Sequence, residues 1–384
     1  MKKKTLTLLL LASLLSTSAQ AFYMAWARIN DFTNVYEYPE AVMDIAHDSE
    51  RIYVAALGGL MIIDKATGEK TYYSNSDASL DYTPTALAVH DGKVFVGTRE
   101  NKMLILKGES LSESTYDFTH DRTQYISNIV FDRDSNMYVS NGSGTTFRIG
   151  TDGSNELLTA YPWGRDGWTA YLATTSGGTL WIANFGWNMN AYGLAEYTHG
   201  KGTKYLFMEN AELPIYKVTA LAVDNEDGVW YASSSTAFSK DGKKLLTRLK
   251  DGQVAASYDR ASRYVDMQFD GRQRLWLAGD YGPLEMMKDG EFTSYPYAPD
   301  GERWFCLDVD GDDIYIGTEK SLLLFRDGEY QQIDLGPLVQ QAPTSIFSVT
   351  LDVHAPLYDL QGRRLSQKPE RGVYIRDGRK VVIK

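Results

Sequence analysis

The stretch Val218–Ser233 reads V-T-A-L-A-V-D-N-E-D-G-V-W-Y-A-S. An apolar alternating run, Val218 to Val223, meets an acidic turn that ends in Gly228. A second short run, Val229-Trp230-Tyr231, follows and closes on Ala232 and Ser233. Period-two alternation, a turn and a second β-rich run spell strand, turn, strand. The central aromatic of the second strand marks the unit. It is found again as Tyr53, Phe95, Tyr138, Trp181, Trp276 and Tyr315, each followed two residues later by Ala, Gly or Ser. With Trp230 in its place, the seven markers are separated by 42, 43, 43, 49, 46 and 39 residues. A repeat of about 40–45 residues with four strands per unit is the signature of a propeller. Two later strands per unit are visible in the last copy, Ser321–Phe325 and Glu329–Ile333, split by Arg326-Asp327-Gly328. Helical repeats share the period, but density in Tyr, Trp, Val and Gly favours strands. The expected fold is all-β: a seven-bladed β-propeller of four-stranded antiparallel blades with a small C-terminal β-tail. The small residue after each marker is expected where neighbouring blades crowd together.

The segment Asp31–Tyr38 echoes Glu291–Tyr297, a fourth strand of a blade. An N-terminal fourth strand can close a ring by pairing with the last blade, yet the last copy already owns Glu329–Ile333. Either the N-terminal strand displaces that one, or an irregular eighth blade forms. Seven blades is the expectation adopted.

Lys2-Lys3-Lys4, the apolar run Leu6–Leu15 and Ala19-Gln20-Ala21 have the order of a secretory signal peptide over residues 1–21. No cysteine follows that run to carry a lipid, and no other apolar run approaches the ~18–20 residues of a membrane span. The chain of 384 residues carries a net charge of −11. The last thirty residues hold eight Lys or Arg against three Asp or Glu, so the charge is concentrated in an acidic body. That balance argues against nucleic acid or an anionic membrane as partner. Cys306 is the sole cysteine and sits in the apolar run Trp304-Phe305-Cys306-Leu307, which reads as a buried small residue. No intramolecular disulfide or cysteine metal site is expected. The body is expected over 22–335, a linker over 336–354 and a tail over 355–384.

The join Glu209–Ser233, E-N-A-E-L-P-I-Y-K followed by the stretch above, resembles the two-component-regulator propeller repeat of Bacteroidetes. That repeat runs from a Leu-Pro segment into V-x-x-[IL]-x-x-D-x-x-G-x-[LV]-W-[IV]-[GA]-[TS]. The resemblance implies a propeller, and often the periplasmic sensing part of a histidine kinase. No kinase motif accompanies it here, so it implies a free-standing exported relative in the periplasm, at the surface or outside the cell. The segment Leu357–Arg364, L-Y-D-L-Q-G-R-R, with Gly372–Ile375 and the terminal K-V-V-I-K, resembles the end of a type IX secretion sorting domain. As sequence alone it reads as three short strands with turns at Gln361-Gly362 and Asp377-Gly378.

Chemistry is sparsely signposted. Of five histidines, His47 and His90 end first strands, where later copies have Asp132, Asp224, Asp270 and Asp310; they read as turn residues. His199 lies in a Gly-rich turn and His354 in the tail, leaving His120 alone in a loop near the expected ligand face. No G-x-S-x-G, H-E-x-x-H or P-loop pattern is present. The alternate carboxylates of Asp308–Asp313 hint at calcium but lack the distal Glu of an EF-hand and fall at the first turn of the repeat. No metal and no cofactor is expected.

The loops that lead into each blade and those joining its second and third strands share one face. They collect Tyr82, His120, Tyr125, Trp163, Arg165, Asp166, Trp187, Asn188, Asn190, Tyr216, Arg263, Tyr281, Arg303 and Trp304. Flat aromatics beside Arg, Asp and Asn suit sugar rings or peptide ends, through stacking and hydrogen bonding. The candidate ligand-binding set is Trp163, Arg165, Trp187, Asn190, Tyr281 and Arg303. The competing reading is that such rings plug the central channel or pad loops. The functional expectation is a monomeric, non-enzymatic module that binds a glycan, a peptide or a surface protein. The alternative is a propeller lyase or hydrolase acting on a polysaccharide or cyclic peptide, resembling virginiamycin B lyase. A channel plugged by apolar side chains would favour the binding module.

Overall fold

In a computed structural model the described residues are 40–74, 80–119, 125–142, 144–159, 167–186, 193–206, 217–234, 244–297, 302–338, 357–358, 372–376 and 379–383. Seven four-stranded sheets follow one another along the chain, each antiparallel and in simple up-and-down order. The first strands of the sheets are Val42–His47, Pro84–His90, Ile126–Phe131, Gly167–Thr174, Lys217–Val223, Tyr264–Phe269 and Trp304–Asp310. Each of these packs against the first strand of the next sheet, and the last packs against the first. The result is a closed ring of seven blades with the first strands innermost, as the repeat predicts.

The marker aromatics explain how blades stack. Tyr53 packs among Leu87, Val94 and Leu104 of blade two, and Phe95 among Ile126, Ile129 and Met137 of blade three. Trp181, Trp230, Trp276 and Tyr315 reach their next blades in the same way. The small residue two positions on faces the same seam. A Cβ on Gly317 would lie 2.7 Å from Val42 Cγ1 of blade one, and one on Gly97 would collide with Ile126 of blade three. Cys306 is fully buried in the seam between blades seven and one, as its apolar run implies.

The turn after the inner strand is built around one carboxylate. Asp224 Oδ1 accepts the N–H groups of Glu226 at 3.0 Å and Gly228 at 2.7 Å, while Oδ2 accepts the Trp230 indole N–H at 2.9 Å. Asp270 does the same for Arg272, Arg274 and Trp276, and Asp132 for Asp134, Asn136 and the Tyr138 hydroxyl. Burial opposes ionisation of Asp224 and Asp270, yet these donors and a paired arginine hold both carboxyls below the ordinary value. The left-handed residue of these turns is Ser135, Asp227 or Gln273. Gly228 is needed for space instead, because a Cβ there would lie 2.5 Å from both Arg248 Nε and Asp224 Oδ2.

Blade one corrects the expected alignment of its histidine. His47 is the last strand residue, and Asp48 behind it does the turn work, accepting from Glu50, Arg51 and the Tyr53 hydroxyl. His90 flanks a two-residue turn, Asp91-Gly92, in which both residues have positive φ. The acidic stretch Asp308–Asp313 is a strand end and turn whose carboxylates meet cations. Asp308 meets His47, Asp312 meets Arg272 and Arg274, and Asp313 meets Arg326.

Blade seven takes all four strands from Trp304–Ile333, with Glu329–Ile333 outermost, so that strand is not displaced. Asp31–Tyr38 lies outside the described residues. The chain then crosses onto blade one. Lys70 Nζ donates to the Asp334 carbonyl at 2.6 Å, and Leu335 and Leu338 join the core of blade one beside Val54 and Met61. Gly336–Leu338, where a linker was expected to begin, is a short 3-10 turn in this strap. Gly58 is the seat of the strap, since a Cβ there would strike the Leu338 carbonyl. A separate compact unit, 340–384, contains an antiparallel three-stranded sheet of Leu357–Tyr358, Gly372–Arg376 and Arg379–Ile383.

Asp270→Ala removes an acceptor from two turn N–H groups, an indole and Arg274. It should cost about 2–4 kcal/mol, read as a lowered urea midpoint; a loss below about 0.5 kcal/mol would contradict this role. Gly58→Val should unseat the strap, seen as faster amide exchange over residues 334–338 than in the parent protein.

Candidate functional site

Every inner strand carries a bulge near its start. The register slips between Val42 and Asp44, Pro84 and Ala86, Thr169 and Tyr171, Val218 and Ala220, Tyr264 and Asp266, and Trp304 and Cys306. In blade three the slip lies opposite Ser140 and Asn141. Such a bulge turns one extra residue out of the ladder. These residues sit on the face where loops lead into the blades. A second repeated contact ties that face together. The first residue after the second strand donates its N–H to the carbonyl of the residue before the inner strand. Leu57 bonds Ala41, Arg99 bonds Thr83, Gly142 bonds Tyr125, Asp280 bonds Arg263, and Glu319 bonds Arg303. Ala41, Thr83, Tyr125, Arg263 and Arg303 therefore hold equivalent positions around the mouth of the channel.

Below the mouth, side chains link non-neighbouring blades across the ring. Tyr171 of blade four donates its hydroxyl to the Val265 carbonyl of blade six, passing over blade five. Tyr125, which leads into blade three, packs with Ala41 and Met43 of blade one and with Phe305 of blade seven. Tyr125 and Met43 are almost fully buried. Among the described residues, one tyrosine hydrogen bond and one apolar cluster thus cross the ring beneath the mouth.

Blades six and seven build the polar side. Asp280 opens the turn after Trp276-Leu277-Ala278-Gly279, and its carbonyl accepts the Trp304 N–H at 2.9 Å. Its carboxylate receives two guanidiniums, Arg263 Nη1 at 2.5 Å and Arg303 Nε at 2.9 Å. Burial pushes the Arg263 guanidinium below its ordinary value; Asp280 opposes that and Arg303 adds to it. Tyr281, next in the chain, is 54% exposed. Arg303 Cζ lies 5.9 Å from the Tyr281 ring centroid and 5.9 Å from that of Phe305. Arg303 is itself buried, so the surface this cluster presents is the exposed Tyr281 ring, held near a paired cation, which suits stacking by an aromatic or a sugar ring.

Of the residues proposed from sequence, the structure brings Tyr281 and Arg303 together. Trp163, Arg165, Trp187 and Asn190 lie outside the described residues, as do His120, Asp166, Asn188 and Tyr216. Trp304 is fully buried against Tyr297 and Tyr330, so it is packing. Tyr125 belongs to the apolar cluster beneath the mouth. Tyr82 is turned to the side, bonded to Glu113 at 2.5 Å. Sequence reasoning passed over Asp280 and Tyr171. The signal for Asp280 was present: it opens the turn after its strand, beside Tyr281. Tyr171 gave none, because its partner is a backbone carbonyl 94 residues away. Among the described residues no cluster of His, Cys, Asp and Glu is arranged to hold a metal, and no helix is long and apolar enough to cross a membrane.

No family model matches the chain, and no curated protein does. Solved structures share the fold. Virginiamycin B lyase from Staphylococcus aureus superposes with a TM-score of 0.59 at 14% identity, over 73% of this chain and 92% of the lyase. YCF48 bound to D1 peptide gives 0.57 at 13% identity, over 75% and 93%. The extracellular domain of the hybrid two component system BT4673 from B. thetaiotaomicron gives 0.57 at 14% identity, over 74% of this chain and 38% of that one. A lyase, a peptide-bound protein and the extracellular domain of a two component system thus share this fold. The likeness establishes the propeller and leaves the activity to the site.

Asp280→Asn should weaken both ion pairs and leave Arg263 buried without its full countercharge. The expected cost is about 3–5 kcal/mol, read by chemical denaturation. Tyr281→Ala, at an exposed ring, should leave Tm within about 1 °C of the parent. Equal destabilisation by both changes would assign Tyr281 to packing.

Proposed function

We propose that this chain is an exported, non-enzymatic propeller that binds a glycan or peptide, or a protein partner presenting such a group, at the mouth of its loop-rich face. The observation that carries the reading is the exposed Tyr281 ring beside the Arg303–Asp280 pair at this mouth. Tyr171 bonded across to Val265, and Tyr125 packed on Met43 and Phe305, link three pairs of blades beneath the mouth. The Arg263–Asp280–Arg303 set, buried and mutually paired, holds this edge of the mouth rigid, and Tyr281 exposed beside it offers a stacking surface. The proposed site also takes in Trp163, Arg165, Trp187 and Asn190, on the sequence reading alone. Residues 1–21 act as a signal peptide, residues 22–338 as the binding body with its closing strap, and residues 339–354 as a linker. Residues 355–384 form a tail of the type IX sorting kind, in a protein of Bacteroidetes type. The protein acts as a monomer, without metal or cofactor, in the periplasm, at the surface or outside the cell.

The test is a thermal-shift screen of the full mature chain against a glycan and peptide library, with mass spectrometry of each recovered ligand. The expected result is a rise in Tm with the ligand returned intact, and binding weakened about tenfold by Tyr281→Ala or by Trp163→Ala with Trp187→Ala. A cleaved or unsaturated product would replace this reading with that of a lyase or hydrolase.

A further inference from the structure

The seam between blade seven and blade one joins the two ends of the repeat array, and its ionic contact includes a titratable partner. At the seam between blades six and seven, Arg272 and Arg274 meet Asp312, and arginine stays charged throughout the ordinary pH range. At the closing seam, His47 of blade one places Nδ1 2.6 Å from Asp308 Oδ2 and Nε2 3.6 Å from Asp310 Oδ1 of blade seven. Lys65, also of blade one, places Nζ 2.5 Å from Asp310 Oδ2. The Asp308 side chain is 8% exposed and that of His47 26%. We propose that His47 is a pH-sensitive clasp of the ring, which holds the first and last blades together when protonated and loosens their seam when neutral.

The charges around it are countable. Blade one contributes His47, Lys65 and Asp48; Asp48 is already engaged by the Tyr53 hydroxyl and by the N–H groups of Glu50 and Arg51. Blade seven contributes Asp308, Asp310 and Asp313, the last paired with Arg326, together with the Tyr315 hydroxyl. With His47 protonated, two cations face the two carboxylates of Asp308 and Asp310. With His47 neutral, one cation faces two, and the less served carboxylate is the buried one. A charge buried without its partner is costly.

The acid–base directions agree. The hydrogen bond to Asp308 raises His47 above its ordinary 6.5, against burial and Lys65, with Asp310 adding to the rise. Burial raises Asp308, with His47 opposing. Both groups hold a proton more tightly in the folded ring than in the unfolded chain. The His47 contribution is therefore fully present below its unfolded value, where Asp308 is ionised, and declines as pH rises through the folded one. For His47 that decline begins just above 6.5.

The experiment is thermal unfolding of the full chain between about pH 5.5 and pH 8.5, for the parent and for His47→Gln. The parent Tm should fall by about 2–4 °C more than that of the variant between about pH 6 and pH 8.5. Parallel curves would overturn the proposal. Hydrogen exchange on the unmodified protein decides the matter even if the variant does not fold. After correction for intrinsic rates, protection of Val42–His47 and Trp304–Asp310 should drop at the higher pH relative to Ile126–Phe131. Equal changes in all three strands would also overturn it.

Discussion

One carboxylate at the end of an inner strand fixes two things at once. It closes the turn by accepting backbone N–H groups, and it positions the aromatic that will fill the next seam by accepting that ring's polar end. Asp48, Asp132, Asp224 and Asp270 all do this. The bond matters because a propeller has no core shared by all blades: each seam must be filled by side chains from two sheets, and a ring a few tenths of an ångström out of place leaves a void or a clash. The aspartate makes the placement of the ring a consequence of the turn. This is why the acidic turn and the aromatic travel together through the repeat.

Where the carboxylate is missing, other contacts take over. In blade two the marker is Phe95, which has no polar end, and the turn shrinks to Asp91-Gly92. There His90 stacks on Phe131 of blade three, the rings 4.1 Å apart and nearly parallel. In blade four Thr175 takes the turn position, its hydroxyl accepting the Thr179 N–H at 3.0 Å. The repeat tolerates such changes because each seam needs only its own pair of faces to match. The closing seam is filled by the same device, since Tyr315 packs on blade one, and it is supplemented by the strap through Leu338.

The two faces of the ring serve different ends. The face of inner-strand turns is tied by polar contacts between blades, Ser176 to Asp227, Gln273 to Asn225 and Arg272 to Asp312, and so serves stability. The opposite face carries the bulges and the longer connections. There, backbone bonds such as Asp280 to Arg263 tie the rim together. A surface of that kind combines a fixed scaffold with variable loops, the usual setting for recognition.

The sequence by itself determined the ring. Period-two alternation, the spacing of the seven aromatics and the small residues behind them are local patterns, and each dictates a local consequence: strand, turn or crowded seam. Cys306 as a buried residue and the acidic segment Asp308–Asp313 as strand end and turn were legible for the same reason. It also placed Tyr281 and Arg303 on one face, because strand order alone decides which loops share an end. Only the tertiary structure decided that these two meet through Asp280, that Tyr171 and Tyr125 reach other blades across the ring, and that Leu338 returns to Gly58. It alone showed that His47 answers to Asp308 rather than to its own turn. Those contacts join residues from about 20 to 280 positions apart. No local pattern encodes them, since each partner's own neighbourhood would be satisfied without the other. They exist because closing a seven-bladed ring brings its inner strands around one axis.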